Sequence, residues 1–310
     1  MAFNLLDLAV ARKDNRKLRN KSDAQVLEMQ RIFITQSPDI AVLPEAGSIR
    51  AIEILLGGRG SSLRETYDIL ISQGEGGAGR IGFLIKRSWL KETGLTVTAK
   101  ELGLQSWYDP ARREVVQLFH RGLPTLEFRP GPQRPGQPRQ AGEPEARPSL
   151  TVIGYHGKSM RDREHDPESH LVRVRQIKAL NATLARLASE NGPESPVIVA
   201  GDFNVRINSA PEAGLLEQQT LSAFAAAREV TTLSDRITQV YIERGGQVHQ
   251  DQLDDVRVSP ALFDKLISAR VERYLDPRGR LLPFPQTERE NRVQPSDHLP
   301  VVVDLALPKQ

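Results

Sequence analysis

Apolar residues recur along this chain in two rhythms, helical spacing and short continuous runs. Val26, Met29 and Phe33 fall at helical spacing behind the capping pair Ser22-Asp23, and Pro38-Asp39 ends the pattern. A run of four, Ile40-Ala41-Val42-Leu43, follows and closes on Pro44-Glu45. The unit returns later. Leu180, Leu184 and Leu187 stripe a helix expected from about Glu168 to Glu190, and Asn191-Gly192-Pro193 stops it. Val197-Ile198-Val199-Ala200 then leads into Gly201-Asp202. Each unit reads as helix, turn, buried strand and a carboxylate just past the strand's end. Runs apolar on both faces belong to sheets covered by helices, and their ends are where α/β folds build sites.

Between and after these units the pattern predicts strands at Tyr67–Ser72, Arg80–Lys86, Leu95–Ala99, Glu114–Phe119, Leu150–Tyr155, Gln239–Ile242, Asp255–Ser259 and Pro300–Leu305, and a helix near Leu221–Arg228. Met1–Asn4 runs straight into apolar residues and reads as a first strand, without the basic start of a secretory signal. Many hairpin-linked strands with few helices imply two packed sheets with helices outside. Arg129–Pro148 breaks the pattern, with six Pro, three Gly and four Arg in twenty residues. It has no large apolar side chain to bury and reads as a surface insertion within one domain spanning 1–310.

Composition changes this picture little. Hydrophobic residues at 39% and charged residues at 26% suit a folded, soluble chain, and no stretch is long and apolar enough for a membrane-spanning helix. A cytoplasmic location is the expectation. Cysteine is absent, which excludes disulfides, thiolate nucleophiles and Cys-held zinc, so any metal must be held by oxygen or imidazole. The net charge is only +3, but 32 of the 42 basic residues are Arg. Guanidinium forks match phosphate oxygens; codon bias explains the same excess equally well.

The glycine-rich stretches Gly57–Gly60 and Gly74–Gly79 lack the Lys-Ser/Thr ending of a phosphate-cradling loop, and no Gly-x-Ser-x-Gly elbow occurs. Asp162–His170 groups acids with two imidazoles, a pattern of a metal site but more often of a solvated loop opening a helix. Four fragments place chemistry-capable side chains at strand ends: Pro44-Glu45, Tyr155-His156-Gly157-Lys158-Ser159, Gly201-Asp202-Phe203-Asn204 and Ser296-Asp297-His298. Each alone is an ordinary turn or hydrogen-bonded pair. Together, carboxylates, two imidazoles and an Asn without a thiol suit a hard divalent cation and a phosphate ester. A diester repels nucleophiles, so a cation held by carboxylates such as Glu45 must neutralise it, and a tuned acid or imidazole must take the water's proton. His156 and Asn204 are donors suited to the charge that gathers on phosphorus.

With those fragments in view, the sequence resembles the endonuclease/exonuclease/phosphatase superfamily over nearly its whole length. Asn4 stands at the Asn of that family's first strand, and Glu45 at its metal Glu, with Pro44 replacing the usual Gln. Ile81–Lys86 is similar to its next strand, and His156-Gly157-Lys158-Ser159 to the His-x-Lys-Ser of extracellular bacterial nucleases. Asp202 and Asn204 match Gly-Asp-x-Asn, and Asp297-His298 matches the closing Ser-Asp-His. Gln252–Ser259 resembles the family's Leu-Asp strand, with Asp255 where an aromatic or His is usual.

The resemblance implies a four-layer α/β/β/α sandwich, two mixed and mostly antiparallel sheets packed face to face. It also implies phosphodiester hydrolysis with Mg²⁺, Mn²⁺ or Ca²⁺. Glu45, Asn4 and Asp297 would organise the metal. Asp202 would orient or deprotonate water, Asn204 would hold Asp202 and the phosphate, and His156 would donate to a non-bridging oxygen. His298, held by Asp254, would act as base or transition-state donor. Lys158 and Arg113 are assigned to substrate binding. The leading expectation is a monomeric nuclease acting on DNA, or on RNA, with no protein partner inferable. Arg129, Arg134, Arg139 and Arg147 would let the insertion track a phosphate backbone. A lipid or small-molecule phosphodiesterase or phosphatase, sphingomyelinase-like, is the alternative within the family, and a non-catalytic scaffold the alternative outside it. The Trp-Cys-Asp-Arg signature of inositol polyphosphate phosphatases is missing.

Overall fold

A computed structural model of the chain describes residues 1–11, 16–19, 21–58, 60–73, 79–102, 106–109, 113–131, 147–164, 166–226, 232–243 and 245–307. Most of the expected insertion (132–146), all but the last residue of Gly74–Gly79, and His165 lie outside them.

The first half of the chain contains α1 (Asp23–Gln36), β1 (Ile40–Leu43), α2 (Ile49–Leu55), α3 (Ser62–Thr66), β2 (Tyr67–Ile71), β3 (Gly82–Lys86), α4 (Arg87–Thr93), β4 (Leu95–Leu102), β5 (Ser106–Asp109), β6 (Glu114–Gln117), β7 (Leu123–Pro130) and β8 (Leu150–His156). The second half contains α5 (His170–Asn191), β9 (Val197–Asp202), α6 (Ala213–Leu216), β10 (Leu221–Ser222), α7 (Ala223–Ala226), β11 (Gln239–Ile242), β12 (Val248–Asp251), β13 (Asp254–Val258), β14 (Leu266–Val271), α8 (Glu288–Val293) and β15 (Val301–Leu305).

One sheet runs β10-β13-β9-β8-β7-β4. The other joins β1-β3-β2 to β14-β15 through Ala2, which bridges Val42 on one side and Val301 on the other. The N-terminal segment therefore fills a strand slot by single bridges. Pairing among the named strands is antiparallel except between β8 and β9, and the Ala2–Val42 bridge is also parallel.

The period of two along each strand builds the layers. Val152, Ile198, Ala200, Val256 and Val258 from one sheet meet Val42, Phe83, Ile85 and Val301 from the other in a shared core. The alternate residues face outward: Ala41, Leu43 and Leu84 pack under α1 and α2 with Met29, Ile32 and Phe33. Ile153, Val197 and Val199 pack under α5 with Ile177, Leu180, Leu184 and Leu187. The result is the four-layer α/β/β/α sandwich. At ~25 cal/mol per Å² of apolar area removed from water, these three cores are its main driving force.

The helix ends follow their signals. Ser22 and Gln25 close a reciprocal capping box on α1, and Ser37, at φ 39°, returns its N–H to Phe33 before Pro38. α5 stops at Gly192, φ 96°. Two expectations change. The helix expected near Leu221–Arg228 loses its first two residues to β10, because Leu221 and Ser222 pair with Val258 and Arg257 and the sheet outweighs local helical propensity; α7 takes Ala223–Ala226, and 227–228 lie outside the described residues. The strand expected over Glu114–Phe119 stops at Gln117, and its hairpin with β5 forms a separate two-stranded sheet. No described helix is long and apolar enough to cross a membrane.

Candidate active site

Three neighbouring strands present one polar residue each in a single row. Asp202 ends β9, its register partner on β8 is His156, and its partner on β13 is Asp254. They share strand faces with Val152, Ile198 and Val256, so the row points into the gap between the sheets at the strand ends. Close strand approach there requires glycine. A Cβ on Gly201, φ 143°, would stand 2.0 Å from the Tyr155 carbonyl oxygen, and one on Gly157 would stand 2.3 Å from that of Phe203.

The chain turns after Asp202 so that Asn204, in the left-handed region at φ 51°, folds back on it. The Asn204 backbone N–H donates to Asp202 Oδ1 (2.8 Å), and its amide donates to Oδ2 (2.9 Å) and to the Gly157 carbonyl (3.2 Å). The facing sheet supplies Asn4 and Glu45. Asn4 Nδ2 donates to Asp202 Oδ2 (3.0 Å) and to Glu45 Oε1 (3.4 Å), while its oxygen accepts from the Leu6 N–H (3.0 Å). In this geometry Asn4 ties the carboxylates together and spends its oxygen on backbone. Glu45, at φ 59°, is further fixed by the Asp7 N–H on Oε2 (2.8 Å). His156 Nε2 lies 3.7 Å from Glu45 Oε1 and 3.6 Å from Asp202 Oδ2.

The closing turn delivers His298. Its Nδ1 meets Asp254 Oδ2 at 2.6 Å, and its Nε2 lies 3.4 Å from Gln239 Nε2 and 3.9 Å from Asp297 Oδ1. Ser296 holds the turn, donating to the Asn4 carbonyl (3.0 Å) and accepting from the His298 N–H (3.2 Å). Thr238 Oγ1 accepts from the backbone N–H of both Leu253 and Asp254, each at 2.9 Å, fixing the start of β13.

Burial sets the protonation of this cluster. Desolvation, with Asp254 and Glu45 adding negative field, pushes Asp202 up to about 7. Burial also opposes a charge on His298, but the Asp254, Asp297 and Asp202 carboxylates together outweigh it and hold the imidazole well above its usual value. His156 goes the other way: burial, then Arg121 and His298, push it well below, so it is neutral. The row therefore contains a poised carboxylate, an imidazolium and a neutral imidazole within one mouth.

The donor set fits a hard divalent cation. Among the described residues Asp297 Oδ1 and Asp254 Oδ1 are buried without a hydrogen-bond partner, and the Glu45 side chain keeps 24% exposure. Ligand atoms of Asp202, Asp254 and His298 also lie within 4.8 Å of one another. Glu45 and Asp297, which the resemblance assigns to the metal, are not part of that trio.

Among the other expected site residues, Lys158 follows His156 directly through Gly157, with its N–H on Gln176 Oε1 (2.8 Å). Arg113 lies exposed just before β6 in the separate hairpin, and no interaction joins it to the cluster among the described residues. Asp162–His170 behaves as a loop opening a helix: Asp166 accepts from the N–H of Leu171 (2.7 Å) at the start of α5. Asp255 faces away from the row and pairs with the buried Arg257 (3.0 Å) and Ser222 (2.9 Å). That pairing accounts for an acid where the resemblance leads one to expect an aromatic or His.

Two cations escaped the sequence reading. Arg121, in the turn before β7, donates to the Gly157 carbonyl (3.0 Å), and the Glu45 and Asp202 carboxylates bear on its charge. Lys21 donates to the Pro295 carbonyl (2.6 Å); burial lowers it to about 8 against the pull of Asp297, Glu45 and Asp7. Neither position carries a local motif, and only folding sets them beside the acids.

No protein-family model and no curated protein sequence matches this chain. Solved structures do. Truncated TDP2 of Caenorhabditis elegans superposes with a TM-score of 0.59 at 17% identity, covering 98% of this chain and 95% of that one. An endonuclease/exonuclease/phosphatase from Bacteroides vulgatus gives 0.57 at 13% identity, covering 99% and 97%. D. rerio TDP2, complexed with a single-strand DNA product, gives 0.55 at 14% identity, covering 98% and 96%. The likeness at these identities is one of fold, and by that measure the chain has the sandwich of the endonuclease/exonuclease/phosphatase proteins.

Proposed function

We propose that this chain is a divalent-metal-dependent phosphodiester hydrolase acting on nucleic acid, with DNA as the first candidate substrate. The observation that carries the reading is the mouth of the sandwich. There Asp202, the Asp254–His298 pair and His156 stand in one row opposite Glu45 and Asn4. Glu45 and Asp297, with Asp202 beside them, would hold the cation, which when bound supplies charge neutralisation at the phosphate oxygens.

The protein's own groups do the rest. Asp202 takes the proton of the attacking water as the water oxygen bonds to phosphorus. Asn4 and Asn204 aim that carboxylate. His298, kept charged by Asp254, and neutral His156 donate to the oxygens on which negative charge collects as the ester P–O bond breaks. Arg121 and Lys158 flank the His156 loop and add positive field for a polyanionic strand. The D. rerio TDP2 product complex supports nucleic acid as the substrate class.

The test is a substrate panel of plasmid DNA, RNA, a bis-aryl phosphate and sphingomyelin, each with Mg²⁺, Mn²⁺ or Ca²⁺ and with excess chelator. Chelator-sensitive cleavage of DNA or RNA is expected. Turnover of sphingomyelin alone would move the assignment to a lipid phosphodiesterase, and inertness toward every ester would leave a scaffold.

A further inference from the structure

The sheets stand apart at the end of the sandwich opposite the catalytic row. A cavity of about 820 Å³ lies between them there. Val42 and Leu305 line it from one sheet, Val152, Ile198 and Ala200 from the other, and Trp89 of α4 from the side. It begins at the strand starts, beside Leu150 and Pro196, and on β9 it reaches Ala200, one strand period short of Asp202. His156, Asp202, Asp254 and His298 are not among its lining residues, so its occupant is not the ester that the row cleaves.

Protein interiors hold few voids larger than a water, whereas this space has the size of a small-molecule site. Its apolar walls offer water few partners, and Trp89, Val303 and Leu305, packed against the inter-sheet core, stay only partly buried. The chain has no further apolar segment for it. Residues 132–146, between β7 and β8, contain no aromatic or branched aliphatic side chain, and 308–310 are Pro-Lys-Gln. The charges at the rim are matched. Asp304 pairs with Arg270 (2.6 Å), Asp39 lies 3.6 Å from Lys86 Nζ, and the exposed Lys265 and Glu92 are of opposite sign. Ser37, Thr93 and Ser149 add hydroxyls to the lining.

We propose that this cavity binds a neutral single-chain lipid of the monoacylglycerol type. The acyl chain lies between the sheets, where its burial drives binding. The glycerol hydroxyls meet the polar rim, at which a charged head finds no net charge of opposite sign. The inference stands independently of the phosphodiesterase reading, because it uses none of the catalytic row.

The experiment is a calorimetric titration of the full chain with monoacylglycerols of eight, ten and twelve carbons, each below its aggregation limit. Fatty acids and alkyltrimethylammonium ions of the same chain lengths are titrated beside them. One monoacylglycerol is expected to bind per chain, about fourfold more tightly for each added CH₂, and the charged analogues are expected to bind no more tightly. Ala200→Leu fills the cavity from β9, and Ala261→Phe fills it from the 3₁₀ turn Pro260–Lys265. Each should weaken binding about tenfold or more, the scale of two excluded CH₂ groups, with Tm at or above that of wild type. The two positions lie on different elements, so if one variant fails to fold the other decides. Absence of monoacylglycerol binding, or binding that neither substitution weakens, would overturn the assignment. A Tm lowered in both variants would show that the space is not open to a ligand. Tighter binding of the fatty acid or the ammonium ion would overturn the neutral head.

Discussion

Replacing Asp202 with asparagine is expected to abolish turnover while making the metal-free protein more stable, relative to wild type, as pH rises. Asp202 is 2% exposed, and folding raises its pKa from 3.8 to about 7, first through desolvation and then through Asp254 and Glu45. Folding thus favours the protonated form. This carboxyl's contribution is fully present below about 3.8 and is lost as pH climbs through about 7, because above that value a buried charge must be kept. The span of about three pKa units at ~1.4 kcal/mol each sets a ceiling of ~4 kcal/mol. At this chain length that corresponds to a relative Tm gain of up to ~6 °C between pH 4 and pH 8. Asparagine also loses the acceptor that Oδ2 offers to Asn4 and Asn204, a cost of about 1–3 kcal/mol. That cost is the same at every pH, so the pH-dependent part isolates the charge. Calorimetric or fluorescence melts of both proteins in chelator at closely spaced pH values read the difference directly. A variant-minus-wild-type Tm that stays flat from pH 4 to pH 8 would refute the reasoning, since Asp202 would then ionise as easily folded as unfolded.

Three further outcomes test the remaining parts of the site. His298→Ala should lower kcat by about 10²–10⁴ with Mn²⁺ affinity retained, and near-normal turnover would show that the Asp254–His298 pair is not the transition-state donor. Arg121→Met should raise KM for DNA more than it lowers kcat and reduce the log–log salt slope of binding by about one; an unchanged slope would remove Arg121 from the substrate path. Gly201→Ala should cost about 3 kcal/mol or more in denaturant unfolding, because its Cβ would meet the Tyr155 carbonyl oxygen at 2.0 Å and φ 143° disfavours a side chain. An alanine variant of wild-type stability would mean that β8 and β9 can part at that point.

The sequence by itself determined the layers and the ends of the strands. Alternation within Ile40–Leu43 and Val197–Asp202 sends one set of side chains to the helices and the other to the facing sheet, and such local periodicity needs no knowledge of the partner. It also put Glu45, His156, Asp202, Asn204 and His298 at strand ends or in the turns that follow, where backbone hydrogen bonding gives way to side chains free for chemistry. What it could not carry was anything set by register or by approach across the fold. The Asn4–Asp202 hydrogen bond joins residues 198 apart. The row His156–Asp202–Asp254 exists because two strand pairings fall in one register, and the break of the Leu221–Arg228 helix follows from pairing with β13. Arg121 sits among residues that mark no site, and it joins the His156 loop only because packing sets its guanidinium on the Gly157 carbonyl. Tertiary structure alone decided those positions, because Coulomb energy and desolvation depend on distance in space and not on distance along the chain.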